Sequence, residues 1–84
     1  MQPIDQLLHR IRWDREFGRA IFEIGYYDRV EERIIKVAFS ELVFAQGAPH
    51  CFQLVDPVGL IRTVPFHRVR EVYRDGQLIW QRQG

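Results

Sequence analysis

The fold is decided by the stretch LIRTVPFHRVREVYRDGQLIWQR, residues 60–82, in which one proline and one Asp-Gly pair interrupt alternating apolar and polar side chains. Pro65 has no amide hydrogen, so it should end the first run at Val64 and turn the chain. Asp75-Gly76 is the strongest short signal for a β-hairpin. The stretch therefore predicts a strand, a corner at residues 65–68 and a hairpin.

The turn at Asp75-Gly76 also predicts which residues of the hairpin face each other. A turn with two loop residues would place three pairs of residues opposite each other across the hairpin: Arg74 with Gln77, Tyr73 with Leu78, and Val72 with Ile79. The more apolar face, which we assign to the core, would carry Val69, Glu71, Tyr73, Leu78 and Trp80. Arg70 and Arg74 would then point outward on the same side of the hairpin.

The N-terminal residues predict a helix. Ile4, Leu7, Leu8 and Ile11 follow the spacing of one helical face, which indicates a helix over residues 3–12. Pro3 suits the first turn of such a helix. A helix this short is not stable alone, so we expect it to dock on a sheet.

Between helix and corner the apolar period changes to two. Residues 22–26 and 35–39 alternate around a polar turn at residues 28–32, which predicts an antiparallel pair of strands. Residues 40–43 fit either a short helical turn or a continued strand. Residues 51–55 predict a further strand, and the turn chemistry of residues 56–59 predicts a hairpin with residues 60–64. The expected fold class is α+β, with one N-terminal helix packed on a curved, mainly antiparallel sheet of five or six strands.

Length and composition restrict the class of protein. Eighty-four residues favour one domain, residues 1–84, and the apolar content of 46% supports a packed core. No apolar run approaches the roughly 20 residues of a membrane span, and the N-terminus lacks a secretory pattern, so we expect no membrane partner and a cytoplasmic location. A single cysteine, Cys51, permits no internal disulfide. No motif indicates a cofactor.

Charge favours short-range over long-range recognition of anions. The formal net charge is +1, and the twelve cationic residues are eleven arginines and Lys36. A protein that follows a long nucleic-acid backbone needs a broad basic surface, which this balance does not supply. Arginine, however, matches phosphate oxygens two at a time. The composition therefore favours contact with one or two phosphates, unless the arginines are merely solvated surface residues.

The corner after Pro65 is the first candidate site. His67 and Arg68 place an imidazole and a guanidinium at a break between two strands, where the arginine can clamp phosphate oxygens and the histidine can donate a hydrogen bond. Arg70 lies close to the same corner. A structural alternative is that Arg68 pairs with Glu71 across the turn.

One aromatic residue is a candidate for stacking on an unpaired base. Trp13, Tyr26, Tyr27 and Trp80 could all stack, as aromatic side chains do when proteins bind single-stranded RNA. Tyr26 and Trp80 share strand faces with apolar residues and should be buried. Tyr27 lies on the opposite strand face, so it is the better candidate.

The histidines do not form a known catalytic or metal-binding pattern. His9 precedes Arg10-Ile11 and His67 precedes Arg68-Val69, so the histidine-x-threonine or histidine-x-serine motifs of two-histidine phosphodiesterases are absent from the sequence. His50 stands beside Cys51 without a second pair at zinc-ligand spacing. We therefore expect no catalytic residue and no metal site.

Four segments resemble one known family, the RNA cyclic-group end recognition domains, also described as RNA repair domains. These segments are Leu7–Asp14, Tyr26–Arg29, Val64–Val69 and Asp75–Trp80. The resemblance implies binding of processed RNA ends, with a 2′,3′-cyclic phosphate or a terminal phosphate held by His67 and Arg68. Arg70, Arg29 and Arg12 would complete a positive rim.

The resemblance also implies partners and carries one departure. Family members are fused to cyclic phosphodiesterase and nucleotidyl-transfer modules, which implies an RNA ligase, phosphoesterase or nucleotidyltransferase as partner. Relatives often carry histidine-arginine-glycine where this chain has Asp28-Arg29-Val30. The sequence leaves open whether the acidic Asp28 abolishes a phosphate contact.

Two other functions stay open at the level of sequence. A protein-interaction module without nucleic-acid binding would show dispersed arginines beside an exposed apolar patch. A phosphoesterase would require two histidines within reach of one phosphate. Non-catalytic recognition of RNA ends is the function that the sequence favours, in RNA repair or processing.

Overall fold

The computed structural model describes residues 2–47 and 49–83. Within these residues the chain forms one helix and six strands: α1 Ile4–Trp13, β1 Phe22–Asp28, β2 Arg33–Ala38, β3 Cys51–Val55, β4 Ile61–Pro65, β5 Val69–Arg74 and β6 Gln77–Gln81. Three short 3-10 turns lie at Phe17–Arg19, Phe39–Glu41 and Phe66–Arg68. None of the helical segments in this part of the chain is both long and apolar enough to span a membrane.

The strands form two antiparallel sheets. The larger sheet has the order β2-β1-β5-β6, and β3 pairs with β4 in a separate two-stranded ribbon. The α+β class is confirmed, but the six strands are divided between two sheets where the sequence predicted one. The reason lies after β2, where residues 39–41 form a 3-10 turn and Val43 makes an isolated bridge to Gln53 of the ribbon. Residues 40–43 thus combine both predicted alternatives.

Helix α1 docks on the larger sheet through the predicted stripe. Ile4, Leu7, Leu8 and Ile11 are buried. They join a core that also contains Phe22, Ile24, Tyr26, Leu42, Phe52, Leu54, Val64, Val69, Val72 and Trp80. The chain turns tightly after the helix, because a Cβ atom on Gly18 would lie 2.5 Å from the backbone oxygen of Ile11. This close approach explains a glycine at that position.

The predicted hairpin is present, but its register shifts. Arg74 faces Gln77 and Tyr73 faces Leu78 as predicted, whereas Val72 faces Trp80 and leaves Ile79 as an extra residue. A second irregularity lies between β1 and β5, where Gly25 faces Glu71 and Tyr26 faces Val69, so that Arg70 is the extra residue of a β-bulge. Such bulges change which side chains share a face.

These irregularities overturn part of the predicted core face. Val69 and Val72 are both buried, while Leu78 is 41% exposed. The prediction that Arg70 and Arg74 share one side is also wrong. The Arg74 guanidinium lies 5.1 Å from the Phe17 ring centre, beside the helix, whereas Arg70 lies near Tyr27, whose neighbour Tyr26 faces the core.

The turn of the β3–β4 ribbon is organised by one buried carboxylate. Asp56 Oδ1 accepts hydrogen bonds from the amides of Val58 and Leu60, and Oδ2 accepts one from Arg62 Nε at 2.8 Å. The bond from Arg62, followed by the amide of Leu60, holds the pKa of Asp56 below its ordinary value. The predicted hairpin is therefore confirmed, with its turn fastened to the second strand.

Candidate nucleic-acid interface

The corner forms where the sequence predicted it. Pro65 is the last residue of β4, and the 3-10 turn Phe66–Arg68 follows at once. The Phe66 amide donates to the carbonyl of His50 at 2.8 Å, which ties the start of the turn to the segment before β3. The corner is therefore anchored through its backbone.

Two arginines hold the other end of the corner. The His67 carbonyl accepts a hydrogen bond from Arg70 Nη1 at 2.7 Å and another from Arg82 Nη2. Arg82 Nη2 also lies 3.4 Å from the carbonyl oxygen of Val69. One backbone oxygen thus gathers two guanidiniums at one place on the surface.

These arginines and Tyr27 line a groove of about 370 Å³, which we call the arginine groove. Its lining among the described residues consists of Tyr27, Ile34, Arg70, Glu71, Gln81, Arg82 and Gln83. The Arg70 guanidinium lies 6.0 Å from the Tyr27 ring centre, at the outer range of a cation–π contact. The groove therefore combines two cationic donors with a half-buried aromatic ring.

Glu71 contributes a carboxylate to the arginine groove, and a hydrogen bond from Tyr73 fixes its side chain. Its Oε1 accepts a hydrogen bond from the Tyr73 hydroxyl at 3.0 Å, which raises the pKa of Tyr73. A Cβ atom on Gly25 would lie only 2.7 Å from the same oxygen. The Glu71 side chain can therefore adopt this position because residue 25 is a glycine. The alternative pairing of Arg68 with Glu71 is not among the ion pairs of the described residues.

His67 and Arg68 are the two corner residues that the sequence predicted to bind phosphate. His67 is exposed and Arg68 is half-buried. Within residues 2–47 and 49–83, neither side chain makes a hydrogen bond or an ion pair. Neither residue is among the described residues that line the arginine groove. Both belong to the turn whose His67 carbonyl accepts hydrogen bonds from Arg70 and Arg82.

The remaining predicted residues lie elsewhere. Arg29 is exposed in the turn between β1 and β2. The preceding Asp28 is buried and has a structural role, since its Oδ1 accepts hydrogen bonds from the amides of Val30 and Glu31. Arg12 projects from α1, with its guanidinium 4.2 Å from the Phe44 ring centre. Neither arginine lines the arginine groove.

Arg82 was missed by reasoning from the sequence. The only signal was its position at the end of the second hairpin strand, two residues after Trp80. Its contact is to a backbone carbonyl fifteen residues earlier, and side-chain patterns carry no information about such a partner.

The fold and the groove define a class of protein: a small α+β domain with arginines and an aromatic ring gathered beside a strand break. The chain matches the model of the MJ1316 RNA cyclic group end recognition domain over residues 1–82, and it belongs to that family. The resemblance found in the sequence is thereby confirmed. Neither the curated proteins nor the solved structures contain a match.

Proposed function

We propose that this protein binds processed RNA ends, carrying a 2′,3′-cyclic phosphate or a terminal phosphate, at the arginine groove and the adjoining corner. The observation that supports this most is the meeting of Arg70, Arg82 and Tyr27 in one groove. The family is described as recognising RNA cyclic-group ends, which agrees with such a ligand. The role is non-catalytic, in RNA repair or processing, and a separate RNA ligase, phosphoesterase or nucleotidyltransferase acts on the bound end.

Each side chain has a chemical role in this proposal. The Arg68 guanidinium binds phosphate oxygens through its planar fork, and Arg70 adds positive charge beside it. His67 donates a hydrogen bond to the phosphate. Tyr27 stacks on the terminal base, an interaction that tolerates any base because all have a π face.

The test compares RNAs that differ only at their terminus, ending in a cyclic phosphate, a linear phosphate or a hydroxyl. Arg68→Lys keeps the charge but loses the bidentate match, so affinity for phosphate ends should fall by about 1.5–3 kcal/mol. His67→Ala should also weaken binding. Arg19→Lys, an exposed arginine away from the groove, is the matched control and should bind like wild type.

Circular dichroism should show that every variant is folded. The logarithm of affinity should fall with the logarithm of salt concentration by about 0.7 per phosphate engaged, so a shallow slope indicates an end site. Equal affinity of wild type, Arg68→Lys and His67→Ala for all three termini would overturn the proposal.

One observation favours a second candidate function, a protein-interaction module. Four apolar side chains are exposed around the tip of the β3–β4 ribbon: Val55, Val58, Leu60 and Ile61, which are 62–77% exposed. The experiment above separates the two functions, because a module that binds only protein would not distinguish RNA termini. The arginine groove favours RNA as the ligand.

A further inference from the structure

A second cleft lies on the helix side of the corner, and we call it the histidine cleft. It has a volume of about 300 Å³ and is lined by His9, Arg12, His50, Phe44, Phe66 and Asp5, among others. His9 and Arg12 are three residues apart on α1, so their side chains emerge on one face. His50 comes from the segment before β3. Residues distant in sequence thus bring two imidazoles and one guanidinium into one cleft.

The Arg12 guanidinium is held in place by aromatic rings. It lies 4.2 Å from the ring centre of Phe44 and 5.0 Å from that of Trp13. Stacking occupies the face of a guanidinium and leaves its N–H donors at the edge. Among the described residues no carboxylate forms an ion pair with Arg12. Its donors are therefore available to an anion.

Arg10, two residues earlier, provides a useful contrast. Its guanidinium also stacks, 4.0 Å from the Phe17 ring centre, but it is paired with Asp14 at 3.6 Å. Arg10 lines a different cleft. The described residues that line this cleft include Phe17 but no other phenylalanine and no histidine. Two arginines on one helix thus have the same kind of stacking, and only Arg12 adjoins imidazole donors.

The histidine cleft adjoins the corner. Phe66 lines the cleft, its amide donates to the His50 carbonyl, and the next residue is His67. The His67 carbonyl in turn binds the two arginines of the arginine groove. The 3-10 turn Phe66–Arg68 therefore lies between the arginine groove and the histidine cleft. An RNA strand whose terminal nucleotide occupies the arginine groove can continue over this turn into the histidine cleft.

We propose that the histidine cleft binds a phosphodiester upstream of the terminal nucleotide, so that the protein recognises a single-stranded RNA end longer than one nucleotide. Arg12 binds the phosphate oxygens, and His9 and His50 donate hydrogen bonds to them. Asp5 can only accept hydrogen bonds when ionised, so it suits an exocyclic amino group of a base. This inference rests on the proposed function.

The three histidines of the chain provide separate reporters for the two sites. Their imidazole C–H signals can be followed by NMR and assigned with His9→Gln, His50→Gln and His67→Gln. Cytidine 2′,3′-cyclic phosphate should shift the His67 signal alone. A tetranucleotide that ends in the same group should shift the signals of all three.

The outcomes separate failure of this inference from failure of the proposed function. A tetranucleotide that shifts His67 and leaves His9 and His50 unmoved would overturn the histidine cleft as an RNA site and leave the end site intact. Shifts of His9 and His50 without His67 would support the cleft and contradict the end site at the corner. No shift of any histidine would overturn both.

Affinity provides a second test with a matched control. Arg12→Lys should reduce the ratio of tetranucleotide affinity to mononucleotide affinity by about tenfold, which corresponds to one charge-assisted hydrogen bond of about 1.4 kcal/mol. Arg10→Lys should leave this ratio unchanged. The salt slope of the tetranucleotide should exceed that of the mononucleotide by about 0.7 for each added phosphate contact. Equal ratios for wild type and Arg12→Lys would contradict the proposal.

Discussion

The Nη1 atom of Arg70 lies 2.7 Å from the carbonyl oxygen of His67, so a residue of β5 fixes the turn that precedes its own strand. Arg82, at the end of the hairpin, donates to the same oxygen. The position of the corner therefore depends on the sheet through two arginine side chains. Substitution of either arginine should therefore change both the conformation of the turn and the affinity for the ligand.

The first prediction concerns Arg82. Arg82→Met keeps much of the side-chain length and removes the donors to His67, so the free energy of unfolding should fall by about 1 kcal/mol. Affinity for phosphate-ended RNA should fall as well. Urea denaturation and RNA titration of the same samples measure the two effects. Unchanged RNA affinity would exclude Arg82 from the binding site.

The second prediction concerns the ring of Tyr27. Tyr27→Leu removes the aromatic face, and affinity for RNA ends should fall by about 1–3 kcal/mol, the usual range for stacking on one base. Tyr27→Phe retains the face and should bind almost as wild type does. Fluorescence anisotropy with a labelled oligonucleotide measures both variants. Similar losses in Leu and Phe variants would indicate that the hydroxyl is the important group.

The third prediction concerns the packing of α1 on the sheet. Leu8 is 1% exposed, and Leu8→Ala should lower the free energy of unfolding by about 2–5 kcal/mol. Leu78 is 41% exposed, so Leu78→Ala is a control with the same chemistry and should cost much less. Chemical denaturation compares them. Equal losses would show that burial does not distinguish the two leucines.

The fourth prediction concerns acid stability. The pKa of Asp56 is lowered in the folded protein, mainly by its hydrogen bond from Arg62, so the contact stabilises the fold above the ordinary carboxyl value of 3.8. This stabilisation should be lost as the pH falls below that value. Asp56→Asn should therefore show a smaller loss of unfolding free energy than wild type as the pH is lowered from about 5 to well below 3.8. Parallel pH profiles would contradict the assignment.

The fifth prediction concerns catalysis. We expect the protein to leave RNA with a cyclic phosphate intact, because the sequence lacks the histidine-x-threonine and histidine-x-serine motifs of two-histidine phosphodiesterases. Incubation followed by chromatography should show no linear product. Multiple turnovers that disappear in His67→Ala, or in His9→Gln and His50→Gln, the pair that lines the histidine cleft, would identify the protein as a phosphoesterase instead.

The elements with local signals were predicted well from the sequence. The stripe on α1 and the turns at residues 56–59 and 75–76 depend on residues close in the chain, and the structure contains all three. The register beyond Tyr73 was predicted wrongly, because bulges arise from contacts with strands on both sides. Alternation within one strand carries no information about those neighbours.

The candidate site was predicted in part for the same reason. The corner at Pro65 is a local feature and is present, and Arg70 and Tyr27 meet in one groove. Arg82 joins them through a backbone oxygen, and His50 meets His9 through the path of a loop. Both contacts link residues that no sequence spacing relates.

The position of Arg70 in the bulge of β5 has an evolutionary consequence. The β1–β5 ladder continues on either side of this residue, with Gly25 facing Glu71 and Tyr26 facing Val69. If Arg70 binds the RNA end as proposed, a substitution at this position changes ligand binding while the neighbouring strand pairs remain. Related domains could diverge in the RNA ends that they prefer by substitution at a single bulge, with the sheet itself conserved.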